Sequence, residues 1–216
     1  MTIKEFMERT HATAVAKGWW ERDERTGALK PRNEAEMLAL MHSEIAEALE
    51  IHRMPLRKLS DLWMTETAGG GSVSDEELAW LVSGKRPEGT VESKPEGFMV
   101  EIADLMIRIA DTCEAMKIPL DVVLCNTDVS RLGWGREKLG ANVVEALQHM
   151  NVCLVYAYNG LQNGRVEDTV AEAFAEIFQT CGQIASELAN LSLEYVLVWK
   201  MRYNDTRPHR HGNKKC

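Results

Sequence analysis

Two pairs of carboxylates occur at the same short interval in this chain. Glu44 and Glu47 lie within the segment from His42 to Glu50, and Glu101 and Asp104 within the segment from Val100 to Met106. A spacing of i, i+3 places both acids of a pair on one helix face, one turn apart. Two such helices side by side could gather four carboxylates around a hard cation. Oxygen ligands without cysteine or histidine suit Mg²⁺, with Mn²⁺ an alternative, and Mg²⁺ held this way usually serves a phosphate-bearing substrate. The plain alternative is a solvated helix face whose acids balance neighbouring Lys and Arg. Against it, the pairs sit at the edge of an apolar stripe, where side chains meet a neighbouring helix. A di-iron bundle fits poorly, because neither Glu47 nor Glu101 is followed by His at the third position.

The elements that must position these acids are helical. Leu38, Met41, Ile45 and Leu49 recur at intervals of three and four between Glu34 and Arg53, ahead of Pro55. Phe98, Ile102, Leu105, Ile109 and Cys113 form a second stripe between Gly97 and Met116, and Glu101, Asp104, Arg108 and Asp111 run beside it as one line of charge. Further helices are expected over Ile3 to Trp20, Leu120 to Leu132, Ala141 to Tyr158, Val166 to Leu188 and Leu193 to Tyr203. The stretch from Leu56 to Pro95, with Gly69-Gly-Gly71, Pro87 and Gly89, reads as a lid or an insertion in which only Asp75 to Val82 is helix-like. No run alternates long enough for a strand. The expectation is an all-α bundle of six or seven helices over residues 1–216.

At 216 residues and 45 % hydrophobic the chain can bury a real core as one domain. A net charge of −8, with a basic cluster only at the C-terminus, argues against a nucleic-acid surface. Cys113, Cys125, Cys153 and Cys181 fall in apolar helix-like stretches and Cys216 is terminal, so the thiols read as reduced, in a cytoplasmic protein. No apolar run reaches the roughly 18 residues of a membrane span.

A weak internal echo is present: Ala39-Leu-Met-His42 returns as Ala146-Leu-Gln-His149, and Leu120-Asp-Val-Val-Leu124 as Leu193-Glu-Tyr-Val-Leu197. In the second half, the positions facing the acidic pairs hold residues such as Val152, Val155, Phe174 and Ile177. That half cannot rebuild the acidic site, and chance similarity between helices remains the plain alternative.

Four segments in order resemble the MazG-like branch of the all-α nucleoside triphosphate pyrophosphohydrolases, the superfamily that includes dimeric dUTPases. They are Lys17-Gly-Trp-Trp20; the acidic segment from Ala39 to Glu50; Lys94-Pro-Glu-Gly-Phe-Met-Val-Glu-Ile-Ala-Asp104 continuing to Asp111; and Lys200-Met-Arg-Tyr-Asn-Asp-Thr-Arg-Pro-His-Arg-His-Gly212. The stretch from Gly133 to Leu193 is unmatched. Two departures stand out: the interval from Glu47 to Glu101 is longer than is usual in the family, and the basic tail follows the second acidic helix only after roughly ninety residues.

The resemblance implies hydrolysis of a canonical or modified (deoxy)nucleoside triphosphate to a monophosphate and pyrophosphate. Glu44, Glu47, Glu101 and Asp104 would hold Mg²⁺, with Glu47 also orienting or deprotonating water. Lys200, Asn204 and Arg207 would contact phosphates, the plain alternative being a basic tail that only aids solubility. Trp20 or its neighbour Trp19 could stack on a base while the other fills the core, or both could pack in the core. Arg108 and Asp111 would orient the metal carboxylates or pair with each other, with Arg108 also available to Asp104. His11 and His42 could reach a base or sugar, or serve as structural partners. The late tail suggests a fused pseudo-dimer: an acidic unit, 1–135, and a degenerate unit, 136–216, carrying the tail. The protein would be a monomer in that case and a homodimer otherwise. A non-catalytic nucleotide- or protein-binding helical module is the competing reading, and a non-nucleoside phosphate is a third substrate class.

Overall fold

The computed structural model describes residues 1–53, 65–66, 94–126, 142–185 and 193–210. The expected helix over Asp75 to Val82, the glycine run and the Gly133-Trp-Gly135 segment lie outside them. Seven α-helices are present among the described residues: α1 (Ile3–Ala16), α2 (Glu34–Arg53), α3 (Phe98–Met116), α4 (Leu120–Asn126), α5 (Val143–Gln162), α6 (Ala171–Gln183) and α7 (Leu193–Thr206). The architecture is helical, as the apolar spacing predicts. One exception is a two-residue antiparallel pairing of β1 (Thr65–Glu66) with β2 (Pro95–Glu96) at the entrance to α3. Two residues are too few to leave an alternating pattern.

Local signals set the helix ends. Thr2 caps α1 through a reciprocal box: Glu5 N–H donates to Thr2 Oγ1 and Thr2 N–H to Glu5 Oε2, an arrangement that contributes about 1 kcal/mol. Asn33 Oδ1 accepts from Glu36 N–H at the start of α2, and Asn142 Oδ1 from Glu145 N–H at the start of α5. The single helix expected from Val166 begins instead with a π-helical turn, Val166–Val170, in which Val170 N–H reaches back to Arg165 O.

The central element is α3. Phe98, Met99, Val100, Ile102, Leu105 and Ile109 are fully buried, and the helix packs against α1, α2 and α7. A helix apolar over most of its circumference belongs inside, so a line of charge along it must be paired or functional. Side chains from both expected units, among them Met41 and Ile102 with Met150 and Phe174, belong to one continuous core. Of the four apolar residues expected to face the acids, Phe174 and Ile177 are buried in the core, whereas Val152 and Val155 are exposed. No described helix is long and apolar enough to cross a membrane.

α1 stops at Ala16, short of the expected Trp20, because Gly18 turns the chain at φ +80°. That turn receives the C-terminal tail. Arg210 N–H donates to Lys17 O, Arg210 Nε to Gly18 O and Arg210 Nη2 to Glu21 Oε1, while Lys17 Nζ donates to Asp205 O. A Cβ on Gly18 would lie 1.9 Å from His209 Nε2. The imidazole can swing aside, but the backbone angle cannot be relieved so cheaply. Gly18→Ala is expected to cost about 1–2 kcal/mol and lower Tm by about 2–8 °C. Hydrogen exchange should show faster exchange at Arg210 N–H, and unchanged protection there would contradict the docking.

Candidate functional site

The line of charge on α3 faces α2 across a cleft of about 360 Å³, a size suited to a small ligand. Glu44, Glu101 and Asp104 each contribute a carboxylate oxygen within 4.8 Å of the others'. Glu44 is 5 % exposed and Glu101 is buried beside it. Glu47 lies apart from the three, exposed at the rim of the same cleft. The structure therefore gathers three of the four expected acids and leaves the fourth within reach. Among the described residues Glu47 makes no hydrogen bond or ion pair.

Three crowded carboxylates need compensation, and two cations provide it. Arg108 Nε donates to Glu44 Oε1 at 2.6 Å, and Lys200 Nζ pairs with Asp104 Oδ2 at 2.8 Å. These pairings correct the expectation that Arg108 would serve Asp104 or Asp111. Among the described residues no cation forms an ion pair with the third acid, Glu101. Burial, then the nearby Asp104 charge, push the Glu101 carboxyl up to about 8, although Lys200 pulls the other way. Burial also raises Glu44, against the opposing pull of Arg108. Burial thus favours the neutral form of Glu101, and a cation entering among these oxygens would compete with its proton.

The tail residues reach the same cleft. Lys200 is 2 % exposed, and Asn204 and Arg207, successive turns along from it, line the wall. Lys200 and Arg207 thus line the same cleft as Glu44 and Asp104. Tyr203 lies between the two cations, with Lys200 Nζ 5.8 Å and Arg207 Cζ 5.7 Å from its ring centroid.

Trp20 is not at the surface of the cleft. It is 6 % exposed, and its Nε1–H donates to both carboxylate oxygens of Asp111 at 2.9 and 3.0 Å. His11 Nδ1 donates to the same Asp111 Oδ1 at 2.7 Å. The expected contact between Trp20 and substrate is corrected accordingly: Trp20 anchors the end of the charge line, and Trp19 lines the cleft. His42 is likewise engaged, with Nδ1 2.6 Å from Asn151 Oδ1 where α2 packs on α5.

Three cleft residues escaped sequence reasoning. Arg32 stacks over Trp20 at 5.4 Å and lines the cleft; a cation just ahead of α2 was its only signal. Thr10 Oγ1 is buried without a hydrogen-bond partner, as is Asn204 Oδ1, and both residues line the cleft. Orphaned polar atoms in a buried wall cost stability, and His52 Nδ1, away from the cleft, shares that state. Lys94, just before β2, adds another cation.

No protein-family model matches the chain, and neither a curated protein nor a solved structure matches it.

Proposed function

We propose that the protein is a Mg²⁺-dependent nucleotide pyrophosphohydrolase that converts a (deoxy)nucleoside triphosphate to its monophosphate and pyrophosphate. The observation that carries this reading is the convergence, in one cleft, of three clustered carboxylates from α2 and α3 with Lys200, Asn204 and Arg207 from α7. Hard oxygen donors suit Mg²⁺, and the orphaned oxygens of Thr10 and Asn204 fit a polar ligand. Glu44, Glu101 and Asp104 would hold the ion. Once bound, Mg²⁺ would offset the charge of phosphate oxygens and make a water more acidic.

The remaining work falls to the chain's own groups. Glu47 has no partner among the described residues, so its carboxylate would be placed to accept a proton from an attacking water. The Arg207 fork is shaped for two phosphate oxygens and Lys200 for one. Trp19 offers an aromatic wall at the cleft for a base, and the Trp20–Asp111–His11 network holds the far end of the polar line in place. Arg108 fixes the orientation of Glu44.

The competing reading, a non-catalytic helical module, draws on the ion pairs themselves: Arg108 and Lys200 already satisfy Glu44 and Asp104 without any metal. Pyrophosphate release from a panel of canonical and modified (d)NTPs with Mg²⁺ separates the two. Glu47→Gln is expected to lower turnover about 100-fold while leaving the fold intact. Absence of turnover across the panel, or full turnover by the variant, would favour the module.

A further inference from the structure

A second cluster of donors lies outside the cleft, where α5 packs on α6. His149 and Cys153, one turn apart on α5, meet Glu176 of α6. Cys153 Sγ is 3.2 Å from Glu176 Oε2 and 3.5 Å from His149 Nε2, and His149 Nε2 is 3.4 Å from Glu176 Oε2. We propose that His149 Nε2, Cys153 Sγ and Glu176 Oε2 form a binding site for a borderline-soft divalent cation, Zn²⁺, that clamps α5 to α6.

The distances carry the argument. A tetrahedral ion with Zn–S of about 2.3 Å and Zn–N and Zn–O of about 2.0 Å requires S···N and S···O edges of about 3.5 Å and an N···O edge of about 3.3 Å. The three observed edges lie within about 0.3 Å of these values. Without an ion the same three atoms are joined by polar contacts, Cys153 Sγ donating to Glu176 Oε2 and both it and Glu176 lying close to His149 Nε2. A common centre would replace all three contacts at nearly unchanged separations.

The donor set also separates this site from the acidic cleft. Thiolate and imidazole select Zn²⁺ over Mg²⁺, whereas the cleft offers oxygen alone. A nucleophilic role for Cys153 is disfavoured because the thiol is 1 % exposed and burial, with Glu176, pushes it well above its ordinary range. Coordination replaces the S–H bond by a metal–sulfur bond and releases one proton, for which the partly exposed Glu176 provides a path to solvent. Among the described residues the ion would have three protein ligands, of which His149 and Glu176 are partly exposed.

The test uses the full chain stripped of metal and titrated with Co²⁺ as a spectroscopic stand-in for Zn²⁺. One equivalent should give a thiolate-to-cobalt charge-transfer band and tetrahedral d–d bands, both displaced by one equivalent of Zn²⁺ and indifferent to excess Mg²⁺. His149→Gln and Cys153→Ser should each weaken binding more than about 100-fold, beyond the loss typical of an outer-shell partner. The His149 variant keeps the test decisive if the cysteine variant fails to fold. Glu47→Gln and Cys216→Ser should leave the bands intact. A wild-type protein without the charge-transfer band, a His149→Gln variant that retains it, or its loss in Cys216→Ser would each overturn the site. None of these readings depends on nucleotide turnover, so this proposal and the one for the cleft stand or fall separately.

Discussion

Glu101→Gln is expected to make the metal-free protein more stable and to abolish nearly all of the proposed turnover. The two effects share one cause. In the folded chain Glu101 is pushed up to about 8 by burial and by the Asp104 charge, against an unfolded value near 4.5. A carboxyl whose folded value is raised binds its proton more tightly in the native state, so its contribution to stability is fully present below about pH 4.5. That contribution is lost as pH rises towards 8 and changes little beyond. Glu44, also raised, adds in the same direction. Discounted for screening by the open cleft, the Glu101 contribution is about 2 kcal/mol across that window, or about 4–8 °C in Tm for a chain of this size. Melts in EDTA between pH 5 and pH 8.5 should show this decline. Glu101→Gln should flatten it, because the amide is neutral throughout.

The same neutral amide cannot replace a carboxylate among the proposed ligands, and turnover should fall about 10³-fold, equivalent to about 4 kcal/mol of lost transition-state stabilisation. Mg²⁺ supplies a cross-check: it should raise the Tm of the wild type most at pH 8, where the proton no longer competes, and that of Glu101→Gln least. A wild-type Tm that does not change with pH in EDTA would refute the protonated state. A Glu101→Gln variant with normal turnover would remove Glu101 from the site. A carboxylate kept in an environment that destabilises the empty fold is the kind of cost that function imposes.

The parts of this arrangement differ in how visible they were in the sequence. α2 and α3 were plain because their apolar residues recur every three or four positions and the acids sit at a fixed offset from them; spacing along one helix is a one-dimensional fact. Which cation meets which acid was not, since Arg108 reaches across to Glu44 and leaves Asp104 to a lysine from α7. Trp19 and Trp20 are adjacent, and their roles depend on how the Gly18 turn rotates the chain, so nothing in their composition distinguishes the buried one. The π-helical turn before α6 was hidden for a similar reason: its residues keep helical spacing and differ only in hydrogen-bond partner. His149 and Cys153 stand at i, i+4 in plain view, but their third member lies on another helix, and a cysteine in an apolar stretch reads first as core.

Lys200 is where the fold and the proposed chemistry conflict most directly. Its ammonium is buried and paired with Asp104 at 2.8 Å, close enough to lower Glu101 as well. Removing one partner of a buried ion pair leaves an uncompensated charge, typically at a cost of about 3–5 kcal/mol. Asp104 is partly exposed, which places Lys200→Met, with its packed stem retained, at the lower end, and Lys200→Ala, which also leaves a void, at the upper. The expected loss of Tm in EDTA is about 6–20 °C. The ammonium also competes with a metal ion for Asp104 and would have to move before that oxygen could ligate. In Lys200→Met this competition is absent, so Mg²⁺ should raise the Tm of the variant more than that of the wild type and bind it more tightly. Turnover should nevertheless fall, because the displaced lysine is a donor to phosphate in the proposed reaction. Calorimetric titration with Mg²⁺ and pyrophosphate release on the same preparations test this combination of tighter metal and slower reaction. Weaker Mg²⁺ binding in Lys200→Met would show that the lysine supports the metal site, and a Tm within about 1 °C of the wild type would show that the buried pair contributes little to stability.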